Sequence, residues 1–444
     1  MHKEIGALVK NDKSPCSKMK GTNMDRVVWK EGFWKRHFEI CLKVSLPHLY
    51  DLMNDPSKGH VTANLKIAAG KEEGNYAGTN WHDEWAYKWI EAASMSYMYT
   101  KDEKIDKLMD ELIEIISKAQ MPDGYIATQI QVRGWKRYQD NRHHELYVMG
   151  HLITAACLHS RITGKDSFLR IAVKVADYMY DTFSKRIPEM DRMHNNPTNI
   201  MALVDLYRLT GNKKYLDAAA VFIDMHGSGE NGTERNQDRV PLRKETQASG
   251  HMVLGTYLYC GATDYCLETG DQELMDALER VWKDLYNMKT YINGGVCAIA
   301  QGLAVRRDEN GCYMRQGKTV EADWIVEGVG DEYELGNATA YNETCSQIGS
   351  FMWNWRLLLL KGEARFAEMM EHTLYNGILC SIGEDGKAWF YTNKLRWYGK
   401  HQRLHMHDKH LRHDPDLKNC CCPTNAVRTL SELSNYLYSV DDVV

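Results

Sequence analysis

Proline is scarce: nine residues in 444. Set against long amphipathic runs, that scarcity points to an all-α protein, because little punctuates the chain into short strands. No block of like charge stands out among 55 basic and 60 acidic residues, net −5. A nucleic-acid groove or an anionic membrane surface is therefore not expected as a partner. No apolar stretch approaches the length of a membrane span. The opening MHKEIGALVKNDKSPCSKMK has no apolar core of signal-peptide length, so the expectation is a cytoplasmic protein whose thiols stay reduced. No linker or low-complexity segment divides the chain. What is present is globular composition, 43% apolar and 26% charged, and a length that suits two or three ordinary domains or one large helical architecture with a sizeable core.

Twelve cysteines are moderately more than average, and Cys41, Cys157 and Cys380 stand in apolar helical surroundings where a thiol simply packs. Cys420-Cys421-Cys422-Pro423 is different. Adjacent cysteines do not pair in an unstrained disulfide, and three buried thiols in a row have no packing logic. Glu343-Thr344-Cys345 offers a carboxylate and a thiol two positions apart. Together the two stretches supply the soft ligands zinc prefers, and they read as one metal site.

Helical periodicity is clear from Trp34 to Met53, from Trp85 to Tyr99 and from Glu103 to Ala119, where Met121-Pro-Asp-Gly124 stops it. A weak repeat then recurs: TGKDSFL at Thr163, TGNKKYL at Thr210, TGDQELM at Thr269, KGEARFA at Lys361 and a looser TKDEKID at Thr100. In the first four, a glycine suits the left-handed cap that ends one helix before the next begins. Recurring helical hairpins mean stacked helix pairs, either an open solenoid or a closed ring. About six hairpins fit the length, which favours an (α/α)6 toroid. Residues 1–25 form an amino-terminal segment and 26–444 the ring. Asn293 to Trp324 reads as a long irregular segment with an insertion at about 300–323, Lys387 to Trp397 alternates like a strand, and Leu433 to Val444 begins as a helix.

Several polar residues are candidates for chemistry. His143-His144-Glu145 opens a helix near His151, but HHELY lacks the second histidine of HExxH, since position 148 is Val, and a metalloprotease is excluded. His251 follows a glycine in ETQASGH, and His194 lies in MHNNPTN. The histidines of KHQRLHMHDKHLRH, Lys400 to His413, have no consistent ligand spacing and read as a solvated loop. Glu327 stands in the glycine-rich VEGVGD, which would expose its side chain; an acid facing a second acid or a nucleophile across a sugar ring is what glycoside cleavage needs.

Read together, GFWKRH, AAGKEEG, YKWIEAA, QMPDGY, HELYVMGHLI, ALVDLYRLTG, ETQASGHMVLGTYLY, EGVGDEYELGNATAYNETC, LYNGIL and CCPTN resemble glycoside hydrolase family 127, the β-L-arabinofuranosidases, over nearly the whole chain. The resemblance implies a retaining hydrolase acting on small oligosaccharides or glycosides. It implies Zn2+ held by Glu343, Cys345, Cys421 and Cys422, with Cys421 as nucleophile and Glu327 as general acid/base. His144, His194, His251, Glu371 and Tyr391 fall on positions that look like sugar contacts. Gly336 and Thr424 replace prolines of the family motifs, and the family's carboxy-terminal β-sandwich domains are expected to be absent from this chain. The sequence leaves a homodimer open. Two rival readings remain: a sugar epimerase or isomerase on the same toroid, and a zinc-stabilised carbohydrate-binding protein without turnover.

Overall fold

A computed structural model describes residues 5–187, 190, 197–229, 232–303, 305–307, 313–315, 324–396 and 420–441. Helices α1 (Gly32–Ile40) and α2 (Leu46–Asn54) are joined by a π turn, Cys41–Ser45, into one bent rod. Then come α3 (Val61–Ala68), α4 (Glu84–Thr100), α5 (Glu103–Ala119), α6 (Thr128–Arg133), α7 (Glu145–Thr163) and α8 (Ser167–Phe183). The second half holds α9 (Thr198–Thr210), α10 (Lys213–Met225), α11 (Met252–Thr269), α12 (Gln272–Met288), α13 (Thr344–Lys361), α14 (Ala364–Thr373) and α15 (Cys422–Glu432).

Two kinds of helix alternate. In α5 only the stripe Met109, Leu112, Ile113, Ile116 and Ala119 is buried, at the spacing of one helical face, and the opposite side is charged. In α7, α11 and α13 nearly every side chain is buried. The one-faced helices therefore lie outside and the all-round apolar ones inside. Contacts run α4 to α7, α9, α11, α13, α15 and back to α4, which closes an inner ring of six. The all-α expectation of an (α/α)6 toroid holds.

The inner helices approach through glycine notches and are tied by buried ion pairs. A Cβ on Gly150 would fall 2.6 Å from the Asn199 nitrogen, one on Gly261 would fall 2.9 Å from the Met201 nitrogen, and one on Gly349 would fall 2.8 Å from the Thr256 Cβ. Arg208 reaches Asp264 at 2.8 Å, Arg356 reaches the same carboxylate at 2.6 Å, and Arg428 reaches Glu91 at 3.3 Å. Four helices end as the repeat requires, on left-handed glycines: Gly164, Gly211, Gly270 and Gly362. The looser fifth repeat ends the same way on Lys101, φ 53°, where a side chain makes the conformation costlier.

Strands are few and short, and they correct the sequence reading in three places. The segment after Asn293 is not wholly irregular. Strands β2 (Ile299–Leu303) and β5 (Trp324–Gly328) pair antiparallel, as do β3 (Val305–Arg307) and β4 (Tyr313–Arg315). Gln301 and Gly302 sit between apolar neighbours, and the glycine-rich composition hides the period-two signal. The rest of the insertion lies outside the described residues, as do His194 and the Lys400–His413 tract. The run from Lys387 is extended but makes isolated bridges, Ile382 to Trp389 and Glu343 to Thr392, rather than a ladder. The helical turn at Leu433–Tyr436 gives way to β6 (Ser439–Val440), paired with β1 (Lys20–Gly21).

Gly150→Ala should wedge α7 away from α9. We expect a loss of about 1–3 kcal/mol, read as a lower urea midpoint with unchanged slope.

Candidate active site

Two helix beginnings meet at one mouth of the ring. Glu343 occupies the amino-terminal cap of α13, yet its side chain makes no capping bond there, which leaves the carboxylate free to face inward. Cys421 is the cap of α15, Cys422 its first residue, and Pro423 stands in the first turn, where its missing N–H costs nothing. The Trp85 indole donates to the Cys420 carbonyl at 2.8 Å and anchors the turn before α15.

The acids converge closely. Cys421 Sγ lies 3.4 Å from Glu343 Oε1, Cys422 Sγ lies 3.8 Å from the same oxygen, and Cys345 Sγ lies 3.6 Å from Cys422 Sγ. One ligand atom from each of Glu343, Cys345, Cys421 and Cys422 fits within 4.8 Å of the others; three of the residues are buried and Cys421 is half-buried. Burial, reinforced by the Glu327 charge, pushes the Glu343 carboxyl well up. Hydrogen bonding with Cys345 raises the Cys421 thiol, and burial raises Cys422. Burial alone would also raise Cys345, but hydrogen bonds from Cys421 and Cys422, with Lys88 and Asn425 nearby, hold it well below the usual range. Protein groups alone thus favour one thiolate among four acids. Glu343 Oε2 is buried without a hydrogen-bond partner. Three sulfurs, a carboxylate and an orphaned oxygen fit a soft divalent cation of the zinc kind.

Glu327 approaches from another direction. It lies inside β5 with φ 53°, a left-handed residue in a strand and a costly one. Its neighbour Gly328 bridges His251, and the Val329 N–H donates to the Gly250 carbonyl at 3.0 Å. The carboxylate accepts from Tyr391 at 2.6 Å and from Tyr341 at 3.0 Å on Oε1, while Oε2 lies 3.0 Å from His251 Nε2. His251 Nδ1 accepts the Val253 N–H at 3.2 Å. A neutral ring then carries its proton on Nε2 and donates it to Glu327. Ligand atoms of His251, Glu327 and Glu343 also fall within 4.8 Å of one another, so the two carboxylates share one site.

The remaining candidates divide. Tyr391 reaches the site through its backbone as well as its hydroxyl: its carbonyl accepts the Thr344 N–H at 2.9 Å, beside Glu343. His144 caps α7 in a left-handed conformation, packs edge-on to Trp81, and is held neutral, near pKa 3, by burial and by Arg235 and His251. Glu371 is not brought to the site. It lies on the outer helix α14 and lines a groove with Trp34, Trp355 and Tyr375; the helix turns Met370 and Thr373 inward and leaves 371 exposed. Tyr341 and Arg235 are additions. Tyr341 stands two positions before Glu343, across the left-handed Asn342 (φ 45°), so no strand periodicity marks it. Arg235 sits beside Glu327 and His144, and nothing in its sequence context marks it.

A closed double ring of helices is a helical-toroid architecture. Cellobiose 2-epimerase from Bacillus thermoamylovorans superposes with TM-score 0.51 at 11% identity, over 90% of this chain and 98% of that one, a likeness of fold alone. The family is narrower: the profile of the β-L-arabinofuranosidase GH127 catalytic domain matches residues 26–435, and the chain belongs to that family. A non-reducing end β-L-arabinofuranosidase of Bifidobacterium longum subsp. longum is 29% identical over 92% of this chain and 65% of its own. The GH127 β-L-arabinofuranosidase structure from Geobacillus stearothermophilus T6 superposes with TM-score 0.80 at 30% identity, covering 93% of this chain and 65% of that one. The chain thus spans just under two thirds of the length of these relatives.

Because most of the ligand set is protonated until a cation arrives, binding should release protons, and affinity should rise with pH through the neutral range. Calorimetry of zinc binding in two buffers of different ionisation enthalpy, with chelator competition at several pH values, measures both. A pH-independent affinity would contradict this account of the cluster.

Proposed function

We propose that this chain is the catalytic domain of a retaining glycoside hydrolase that releases β-linked L-arabinofuranose, or a closely related pentose-type sugar, from plant-derived oligosaccharides. Zinc on Glu343, Cys345, Cys421 and Cys422 would supply one thing when bound: it lowers the pKa of its thiol ligands enough to deprotonate them.

The chain's own groups do the rest. Cys421 Sγ attacks the anomeric carbon, and Glu327 gives its proton to the departing glycosidic oxygen. The sugar is then held on Cys421 as a thioglycoside. Glu327, now a carboxylate, takes a proton from water as the water attacks the same carbon, and Cys421 leaves as thiolate. Two inversions give net retention. Tyr341, Tyr391 and His251 orient the Glu327 carboxyl, while His144, held neutral, and Tyr391 offer polar contacts to the furanose hydroxyls.

The observation that carries this reading is a shared neighbour. Glu343 contacts the half-buried Cys421 sulfur and lies within one site of Glu327, so nucleophile and acid stand within a ring's breadth of each other. Of the four acids Cys421 alone retains exposure. An epimerase on the same toroid leaves the thiol cluster without a task. Among the described residues no helix is long and apolar enough to cross a membrane.

Incubation with a β-L-arabinofuranosyl-configured, cysteine-reactive mimic should add one label at Cys421, seen by intact mass and absent in Cys421→Ser. Glu327→Gln should lower kcat on the matching glycoside by roughly 100- to 10,000-fold. A zinc-loaded, folded protein that takes no label and cleaves no such glycoside would refute the assignment.

A further inference from the structure

The hold on Glu327 begins one layer further out, at Gln237. This glutamine is 2% exposed and left-handed, φ 56°, a costly conformation for a residue with a side chain that persists only where the surroundings enforce it. Its backbone is pinned on both sides: the N–H donates to the Glu234 carbonyl at 3.1 Å, and the carbonyl accepts from His226 Nε2 at 2.9 Å.

The side-chain amide reaches three further carbonyls. Nε2 lies 2.8 Å from the Ser249 oxygen, 3.0 Å from that of His251 and 3.1 Å from that of Arg235. Carbonyls only accept, so the amide atom facing them is the nitrogen, and its two hydrogens are shared among the three. Oε1 is thereby turned away, buried and without a partner among the described residues. An orphaned buried oxygen is costly, and an apolar side chain of the same length would fill the space without it. The amide is therefore kept for what its N–H groups hold.

What they hold is the turn that carries His251. Gly250, between the two clamped carbonyls, is left-handed at φ 68°, and a Cβ there would fall 2.6 Å from Gln237 Nε2. The His251 N–H donates back to the Arg235 carbonyl at 3.0 Å, and the Gly250 carbonyl takes the Val329 N–H at 3.0 Å. The His251 carbonyl, which also accepts the Gly255 N–H of α11, is fixed by Gln237 from outside the helix. From this held backbone the ring presents Nε2 to Glu327 at 3.0 Å.

We propose that Gln237 is a positioning residue for the acid/base: its amide clamps the 249–251 turn so that the His251 Nε2–H is aimed at Glu327 and keeps that carboxyl directed at the departing oxygen. This rests on the reading of Glu327 as general acid/base and extends it to a residue that makes no hydrogen bond to Glu327 or to the four candidate metal ligands.

The test compares zinc-loaded wild type with Gln237→Met, which keeps length and bulk and removes the donors, on two β-L-arabinofuranosides. A dinitrophenolate departs without a proton, whereas an alkoxide needs one. We expect kcat/KM on the alkyl glycoside to fall roughly 10- to 100-fold and that on the dinitrophenyl glycoside by less than about threefold, with Cys421 labelled by the cysteine-reactive mimic as in wild type. Unchanged kcat/KM on both substrates would overturn the proposal, and so would an equal loss on both, which marks a merely structural role. Wild-type protein that binds zinc and cleaves neither glycoside would sink the acid/base reading itself, a result distinct from either. Should the variant not fold, wild-type protein carrying 15N-labelled glutamine decides: slow solvent exchange of the Gln237 side-chain N–H protons supports the clamp, and exchange as fast as that of an exposed amide refutes it.

Discussion

Four acids held within 4.8 Å in a buried place cannot all ionise on their own, and much of the structure serves that constraint. Like charges at such separations repel strongly where water is excluded. The two helix starts that carry these groups soften the problem. Each presents the positive end of a peptide dipole to the cluster, and Glu343 leaves its cap position unbonded, so its carboxylate faces the sulfurs instead of its own helix. What the helices leave unbalanced, a divalent cation can complete. The cluster thus suits a metal ion on electrostatic grounds as much as by the identity of its atoms.

Holding two helix ends together requires the rest of the ring. The crossings of α7 on α9, α9 on α11 and α11 on α13 are close because Gly150, Gly261 and Gly349 lack a Cβ. Asp264 then ties α9 and α13 to α11 through Arg208 and Arg356, and Arg428 ties α15 to α4. A buried ion pair adds little net stability against an apolar equivalent, but breaking one is expensive, so these pairs favour one arrangement of the helices over its alternatives. A small shift of α15 relative to α13 would separate Cys421 from Glu343.

How much of this was legible depends on whether the signal is local. The threonine-glycine repeat announced the helical hairpins because a left-handed glycine ends a helix wherever it stands, and the caps at Gly164, Gly211, Gly270 and Gly362 bear this out. That the two cysteine-bearing stretches meet was legible because three adjacent thiols have no packing logic, and the structure brings Cys345, Cys421 and Cys422 within 4.8 Å of Glu343. The strands β2 and β5 were not, since glycine and polar residues obscure their alternation. Glu371 shows the limit of carrying a motif over by position: the residue occupies the expected place in the sequence, but its helix lies on the outer ring and points it to solvent. Arg235 shows the opposite limit, a residue brought to the site by tertiary structure alone.

Glu327 is where local rule and site part company, and the departure has a reason. An alternating strand would send the side chain of Val326 to one face and that of Glu327 to the other, fixed by pairing with β2. The left-handed φ at Glu327 breaks that alternation at a single residue. Such a conformation persists only when the surroundings over-determine it, and here they do. Gly328 is bridged to His251, Val329 is bonded to Gly250, and the carboxylate meets hydroxyls from Tyr341 and Tyr391 and the imidazole of His251. These partners come from separate stretches of chain, so no local change could supply them together. The backbone strain and the three-sided hold are two parts of one device, which fixes the Glu327 carboxylate in orientation beside Glu343, the residue that contacts the Cys421 sulfur from the start of its own helix.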